Sequence, residues 1–232
     1  MILNESWFQH QWEIFEKCFL RDDRYKLLIS GVGVTIKVSI LAALMGLVIG
    51  FLIALCNLSK KKGLNLFGKI YTDIIRGTPS VTPLMIIYFV VFRTVDWPKW
   101  IIAAIAFSIN SGAYVSEIIR AGILSIEKGQ SEAGRSLGLS KAQTMMYIIV
   151  PQAVKNIFPA MCNEFITLIK ETAIVGYVGL VDIQKAGDFI KSATYEAFMP
   201  LIATAIIYFI MIKVLTLLLG KVEKRLRKSD KR

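Results

Sequence analysis

Long apolar runs, broken by short polar islands, organise this chain. Residues 38–59 carry no charge, and a helix of that length covers a hydrocarbon core about 30 Å thick. They predict a first membrane crossing over residues 27–58. Four more are predicted: 79–92, 100–121, a stretch that starts at Lys141 and reaches Glu171, and 197–220. Pro151 and Pro159 are the expected bends of the fourth. Gly46 and Gly50 stand four apart in the first crossing, a spacing that lets a second helix approach closely. Residues 1–26 interleave Trp7, Phe8, Trp12, Ile14, Phe15 and Phe19 with Glu, Lys and Asp, which predicts a helix lying at headgroup depth. Residues 64–75 read as an interfacial helix, 175–181 as a partly re-entrant turn, and 182–199 as a polar outer segment. The pattern is that of an all-α membrane protein with five transmembrane helices.

Composition agrees: 55% of the 232 residues are hydrophobic and the mean hydropathy is +0.56, too apolar for an ordinary soluble domain. The net charge of +11 would suit a nucleic-acid binder, but the basic residues cluster at 60–62, 120–141 and 221–232. These fall on one side of a five-crossing chain, as the positive-inside rule requires. The N-terminus is therefore expected outside and the C-terminus in the cytoplasm. Residues 1–26 form an external or interfacial segment, 27–220 the membrane domain and 221–232 a basic tail. The first 26 residues lack the apolar core of a cleavable signal peptide.

Catalytic patterns are missing from the sequence. No metal spacing unites Cys18, Cys56 and Cys162, and no H-E-x-x-H occurs, so neither a metal site nor a catalytic set is expected. Residues 63–69 read G-x-x-x-x-G-K, but Ile70 stands where a P-loop needs a magnesium-binding hydroxyl, and no strand precedes it. The chain is therefore expected to hold no ATP and no cofactor of its own. Charged residues inside a bundle instead mark a route for a polar solute.

Residues 131–153 form the most distinctive polar island. A short helix is predicted over 130–137. Gly138 follows as a left-handed C-terminal residue, and Ser140 with Gln143 forms a capping box that opens the next helix. Glu132 and Arg135 flank the small Ala133 and Gly134. The pattern alone fits two readings, a docking knob or an ordinary loop helix with an exposed ion pair.

The island resembles the EAA loop of permease subunits from ATP-binding-cassette importers. Residues 110–140 are similar to the polar amino acid branch in particular, as are Arg76, Gly77, Thr78, Pro79 and Ser80, and the run from Asn163 to Thr172. The matches spread from about residue 30 to the end. One departure is Gly134, where the family carries a second alanine. The resemblance implies a type I importer permease fold in a bacterial cytoplasmic membrane. It implies two separate ATPase subunits carrying ATP and magnesium, a second permease chain (identical or a sister) and an extracytoplasmic binding protein. Glu132, Ala133, Gly134, Arg135 and Gly138 would couple to the ATPase, and Arg76, Gly77, Thr78 and Pro79 would form a turn at the cytoplasmic mouth.

A free amino acid carries both charges, so a site for it inside an apolar bundle needs both fixed nearby. Asn163, Glu164, Lys170 and Glu171 are the candidates, with Glu164 set for an ammonium and Lys170 for a carboxylate. Asn110 and Ser111 would line the opposite wall. These charges fit equally well a pairing that only satisfies buried groups. An ATP-independent carrier or channel is the alternative function; it would have no use for a docking loop.

Overall fold

The computed structural model describes residues 5–227, and all the regular structure among them is helical. Asp230 and the rest of 228–232, the end of the basic tail, lie outside the described residues. Helix α1, Glu5–Phe15, runs into a π turn at Glu16–Leu20. Trp7, Phe8 and Trp12 are exposed, while Cys18 and Phe19 are buried, so one side of the segment is anchored and its aromatics face outward.

The body is built on α2, Tyr25–Leu58, and α5, Lys99–Leu124. They pack through glycines. A methyl group at Gly46 would lie 3.2 Å from the Ser111 side chain, and one at Gly50 would collide with Val115. The Gly46/Gly50 pair thus marks the contact its spacing predicts. Val38, Ala42, Ala103, Ala104 and Phe107 fill the surrounding core.

Between these helices lies a bent pair, α3 (Lys62–Arg76) and α4 (Val81–Ile86) with its π turn Ile87–Val91, the two arms turned by 98°. The expected second crossing differs here. Val81–Val91 rises only about 16 Å, roughly half a hydrocarbon core. Arg76, Gly77, Thr78 and Pro79 of the break are exposed. Pro79 precedes the helix and offers its carbonyl to Thr82 at 2.9 Å, so it ends the turn without entering α4.

Helix α6, Lys128–Ser136, precedes α7, Lys141–Thr144, a π turn at Met145–Ile149 and α8, Val150–Glu171. The π turn lies directly before Pro151. Proline has no N–H and crowds the carbonyl four residues back, and a widened turn relieves both. A 3₁₀ run, Thr172–Val178, ends at Gly179 with φ +74°, the left-handed residue of the predicted turn.

Residues 182–199 form no polar loop. Asp182 accepts from the backbone N–H groups of Gln184 and Lys185 and caps α9, Ile183–Thr194. The apolar side of α9 (Ile183, Ala186, Ile190) is fully buried. Its alternating polar residues hide that amphipathic face in a linear reading. Tyr208 donates to Asp182 from α10, Phe198–Arg227, at 3.0 Å. Burial pushes the Asp182 carboxyl up from its ordinary pKa, and these donors oppose the shift.

By length and composition α2, α5 and α10 can each cross a membrane, and the α3–α4 pair adds a fourth passage if it is one broken crossing.

Candidate functional site

The expected site residues fall on two helices that run antiparallel. Ser111 of α5 donates to Glu164 Oε1 of α8 at 2.9 Å, and Asn110 donates to Glu171 Oε2 at 3.1 Å. Asn110 and Ser111 are almost fully buried. They do not form a wall across a gap from the glutamates; they hold them directly. The small residues of α5 and the glycines of α2 behind them permit that closeness.

Lys170 and Asn163 lie elsewhere. Both are exposed, and with Thr167 and Asn156 they form a stripe at positions 156, 163, 167 and 170 on the outer side of α8. Six residues of helix place Lys170 about 120° around from Glu164, so one ligand cannot lie along a single face between them. Instead α8 carries two polar stripes. One is Glu164/Glu171, pinned by α5, and the other is the exposed Asn163/Thr167/Lys170, continued by Asn156, which donates to Ser125 of α5 at 2.9 Å.

The turn at Arg76–Pro79 reaches the same region. Arg76 lies over the Tyr114 ring at 5.3 Å and approaches Glu117 at 3.9 Å. Arg120 grips Glu117 with two nitrogens at 2.8–3.1 Å. Two clefts meet at this cluster. One of about 590 Å³, between α5 and α8, includes Arg76, Tyr114, Glu117, Ser125 and Asn156. The other, about 430 Å³, lies between α3 and the ends of α2 and α5. Tyr114, Glu117 and Arg120 line these clefts and were not among the expected site residues. Their signal was an acidic–basic pair three apart inside an otherwise apolar run.

The elbow after α5 is shaped by local bonds, and Gln152 of α8 donates to Gln130 of α6 at 3.2 Å. Gly138 has φ +84°. Its N–H bonds to the Arg135 carbonyl at 3.0 Å, and the N–H of Leu139 bonds to Gly134 at 3.1 Å. That is a Schellman end. Ser140 and Gln143 then exchange bonds at 2.8 and 3.3 Å, completing the capping box. Gly134 is buried, and a methyl group there would stand 2.7–2.8 Å from Ile148 and Thr144. The glycine therefore tightens the elbow by letting α6 sit on the start of the next helix. Glu132, Ala133 and Arg135 are exposed, and Glu132 and Arg135 form no ion pair with each other. Leu137 is 81% exposed. The knob therefore presents both charges and a leucine at its surface. Residues 63–69 lie at the start of helix α3, with no strand before them among the described residues.

Polar stripes inside an apolar helical bundle, with a separate rigid elbow at one end, define the membrane-embedded component of a transport system. Comparison with known proteins agrees. Residues 46–228 match the family described as binding-protein-dependent transport system inner membrane component, and the chain belongs to that family, in its polar amino acid ATP-binding-cassette branch. It is 42% identical over 215 residues to the putative glutamine transport system permease protein GlnP of Rickettsia bellii, covering 92% of this chain and 99% of that one. It is 40% identical over 205 residues to the arginine transport system permease protein ArtQ of Bacillus subtilis, covering 88% and 94%. A crystal structure of an amino acid ABC transporter with histidines superposes with a TM-score of 0.82 at 44% identity, over 89% of this chain and 98% of that one.

Proposed function

We propose that this chain is the permease that carries a polar amino acid through the membrane and is driven by separate ATPase subunits. The observation that carries this is the outer stripe of α8. Asn163, Thr167 and Lys170 are exposed on a helix surrounded by apolar elements, and such groups are too costly to leave in hydrocarbon. They suit a polar pathway closed by a second permease chain. Five crossings fit this reading: α2, the bent α3–α4 pair, α5, the α7–α8 rod and α10. The N-terminus then lies outside, and Lys60–Lys62, the elbow and the basic tail lie in the cytoplasm.

Along that pathway the substrate ammonium is set to meet Glu164, with Glu171, Asn110 and Ser111 shaping the pocket. Lys170 and Asn163 receive the carboxylate from the neighbouring stripe, or from the stripe of the second chain. Arg76, Gly77, Thr78 and Pro79 turn the chain at the inner mouth. Glu132, Ala133, Gly134, Arg135 and Gly138 carry the motion of the ATPase pair to α8, and a binding protein delivers substrate at the outer end. The relatives named for glutamine and arginine fit a neutral or cationic polar amino acid facing Glu164. Co-purification of an ATPase with the tagged chain, followed by amino acid uptake into proteoliposomes, tests the reading. Uptake that needs ATP is expected; uptake by the chain alone, driven by an ion gradient, would replace it with a carrier.

A further inference from the structure

The cleft of about 430 Å³ between α3 and the ends of α2 and α5 lies beside that pathway, sharing Arg76 and Glu117 with the α5–α8 cleft, and it has the size of a small-ligand site. Its construction is unusual. Helix α3 turns its apolar residues outward: Leu64, Phe67, Ile70 and Ile74 are each exposed by 45% or more. Its polar side faces the body of the protein, where Asn65, Lys69, Thr72, Asp73 and Arg76 line the cleft. A polar wall facing inward keeps the cleft wet.

The charges of this cleft are also incompletely matched. Glu117 is occupied by the fork from Arg120. Lys69 and Asp73 lie one turn apart but form no ion pair. The lysine precedes the acid, which is the weaker order for a helical pair. Lys69, Asp73 and Arg76 follow one another at spacings of four and three, so all three share one face. The floor is Asn57, only 8% exposed, whose side-chain amide has no hydrogen-bond partner on either atom. Buried amides of this kind are rare without a partner to come.

We propose that this cleft is a second amino acid site, separate from the α5–α8 seam, at the end of the bundle that carries Lys60–Lys62. The ligand is a free α-amino acid. Its ammonium sits on Asp73, its carboxylate is held between Lys69 and Arg76, and its side chain points toward Asn57 and Asn65. The alternation of cation, anion and cation along one helix face suits a zwitterion and disfavours a phosphate, which Asp73 would repel. The proposal rests on the transport reading only for the choice of probe.

The test is equilibrium binding of tritiated L-glutamine, and separately L-arginine, to the full chain in lipid nanodiscs. Two equivalents per chain are expected for at least one of them. Lys69→Met with Asp73→Asn weakens one equivalent by about tenfold or more, the loss of charge-assisted bonds. Glu164→Gln leaves that equivalent unchanged and weakens the other. Both α3 residues are exposed, so the variants keep the fold. A single equivalent that Glu164→Gln removes and the α3 variant spares overturns this site and keeps the seam. A single equivalent with the opposite response upholds this site and overturns the seam. No binding of either amino acid to the wild-type chain, or two equivalents that the α3 variant leaves unchanged, overturns the proposal.

Discussion

The elbow at residues 128–144 and the seam between α5 and α8 are both polar, but they are held together by opposite means. The bonds that turn the chain in the elbow join residues at most five apart: Leu139 to Gly134, Gly138 to Arg135, Ser140 to Gln143; a single exposed bond, Gln152 to Gln130, reaches across to α8. The seam's bonds join residues 53 and 61 apart in sequence. The turn of the elbow is thus set largely by its own sequence neighbours. The seam exists only when two helices pack, and it shifts when they move. A transporter needs both: a lever that keeps its shape and a site that opens and closes with the bundle.

This contrast predicts separable defects. The largest effect is expected at Gly138, where φ is +84° and nothing lies within 4 Å of an added methyl group. The strain of Gly138→Val is therefore purely backbone, on the order of 1–3 kcal/mol. Uptake is expected to fall by roughly tenfold or more, with substrate binding to the chain intact. Gly138→Asn, which tolerates the left-handed region, should recover most of it. Weakened binding in Gly138→Val would show that the elbow and the seam are not separable. Ser140→Ala removes one half of the capping box and should cost about 1 kcal/mol of elbow stability, read as a severalfold drop in coupled transport. The same variant with unchanged coupling would mean that docking, not the cap, holds the elbow in shape.

Ser111→Ala addresses the other side. It leaves Glu164 without its donor and is expected to raise the half-saturating amino acid concentration severalfold, with basal ATPase activity of the assembled complex unchanged. The smallest effect is expected from Gly134→Ala. The added methyl meets the flexible end of Ile148 but also the stiff Thr144, so a loss of about 1 kcal/mol or less is expected. It should disappear when Thr144→Ser is made in the same chain, a coupling readable in a double-mutant cycle.

The same division of local and distant bonds decides what the sequence could show. The elbow was legible residue by residue, because a left-handed glycine and a capping box are written within a few positions. The Gly46/Gly50 contact was legible for the same reason. The seam was legible as residue types but not as pairs. Nothing in the run from Asn163 to Glu171 says that Glu164 and Glu171 face α5 while Lys170 faces away; that follows only once α5 is laid against α8. Helix α9 was read as a polar segment because its buried face is made of Ile183, Ala186 and Ile190, too few to stand out among polar neighbours. The second crossing was drawn close to its observed arm, Val81–Val91, but the 98° bend at Arg76–Ser80 was not legible, because it depends on α3 packing across α2 and α5.

The central claim is that the amino acid meets Glu164 inside the membrane. Its most direct test is the concentration dependence of uptake, glutamine against arginine, by the assembled complex carrying Glu164→Gln. The variant keeps an acceptor for Ser111 and removes only the charge. A rise of at least about tenfold in half-saturating concentration, larger for arginine than for glutamine, is expected. Wild-type concentration dependence and wild-type selectivity in a well-assembled complex would contradict it.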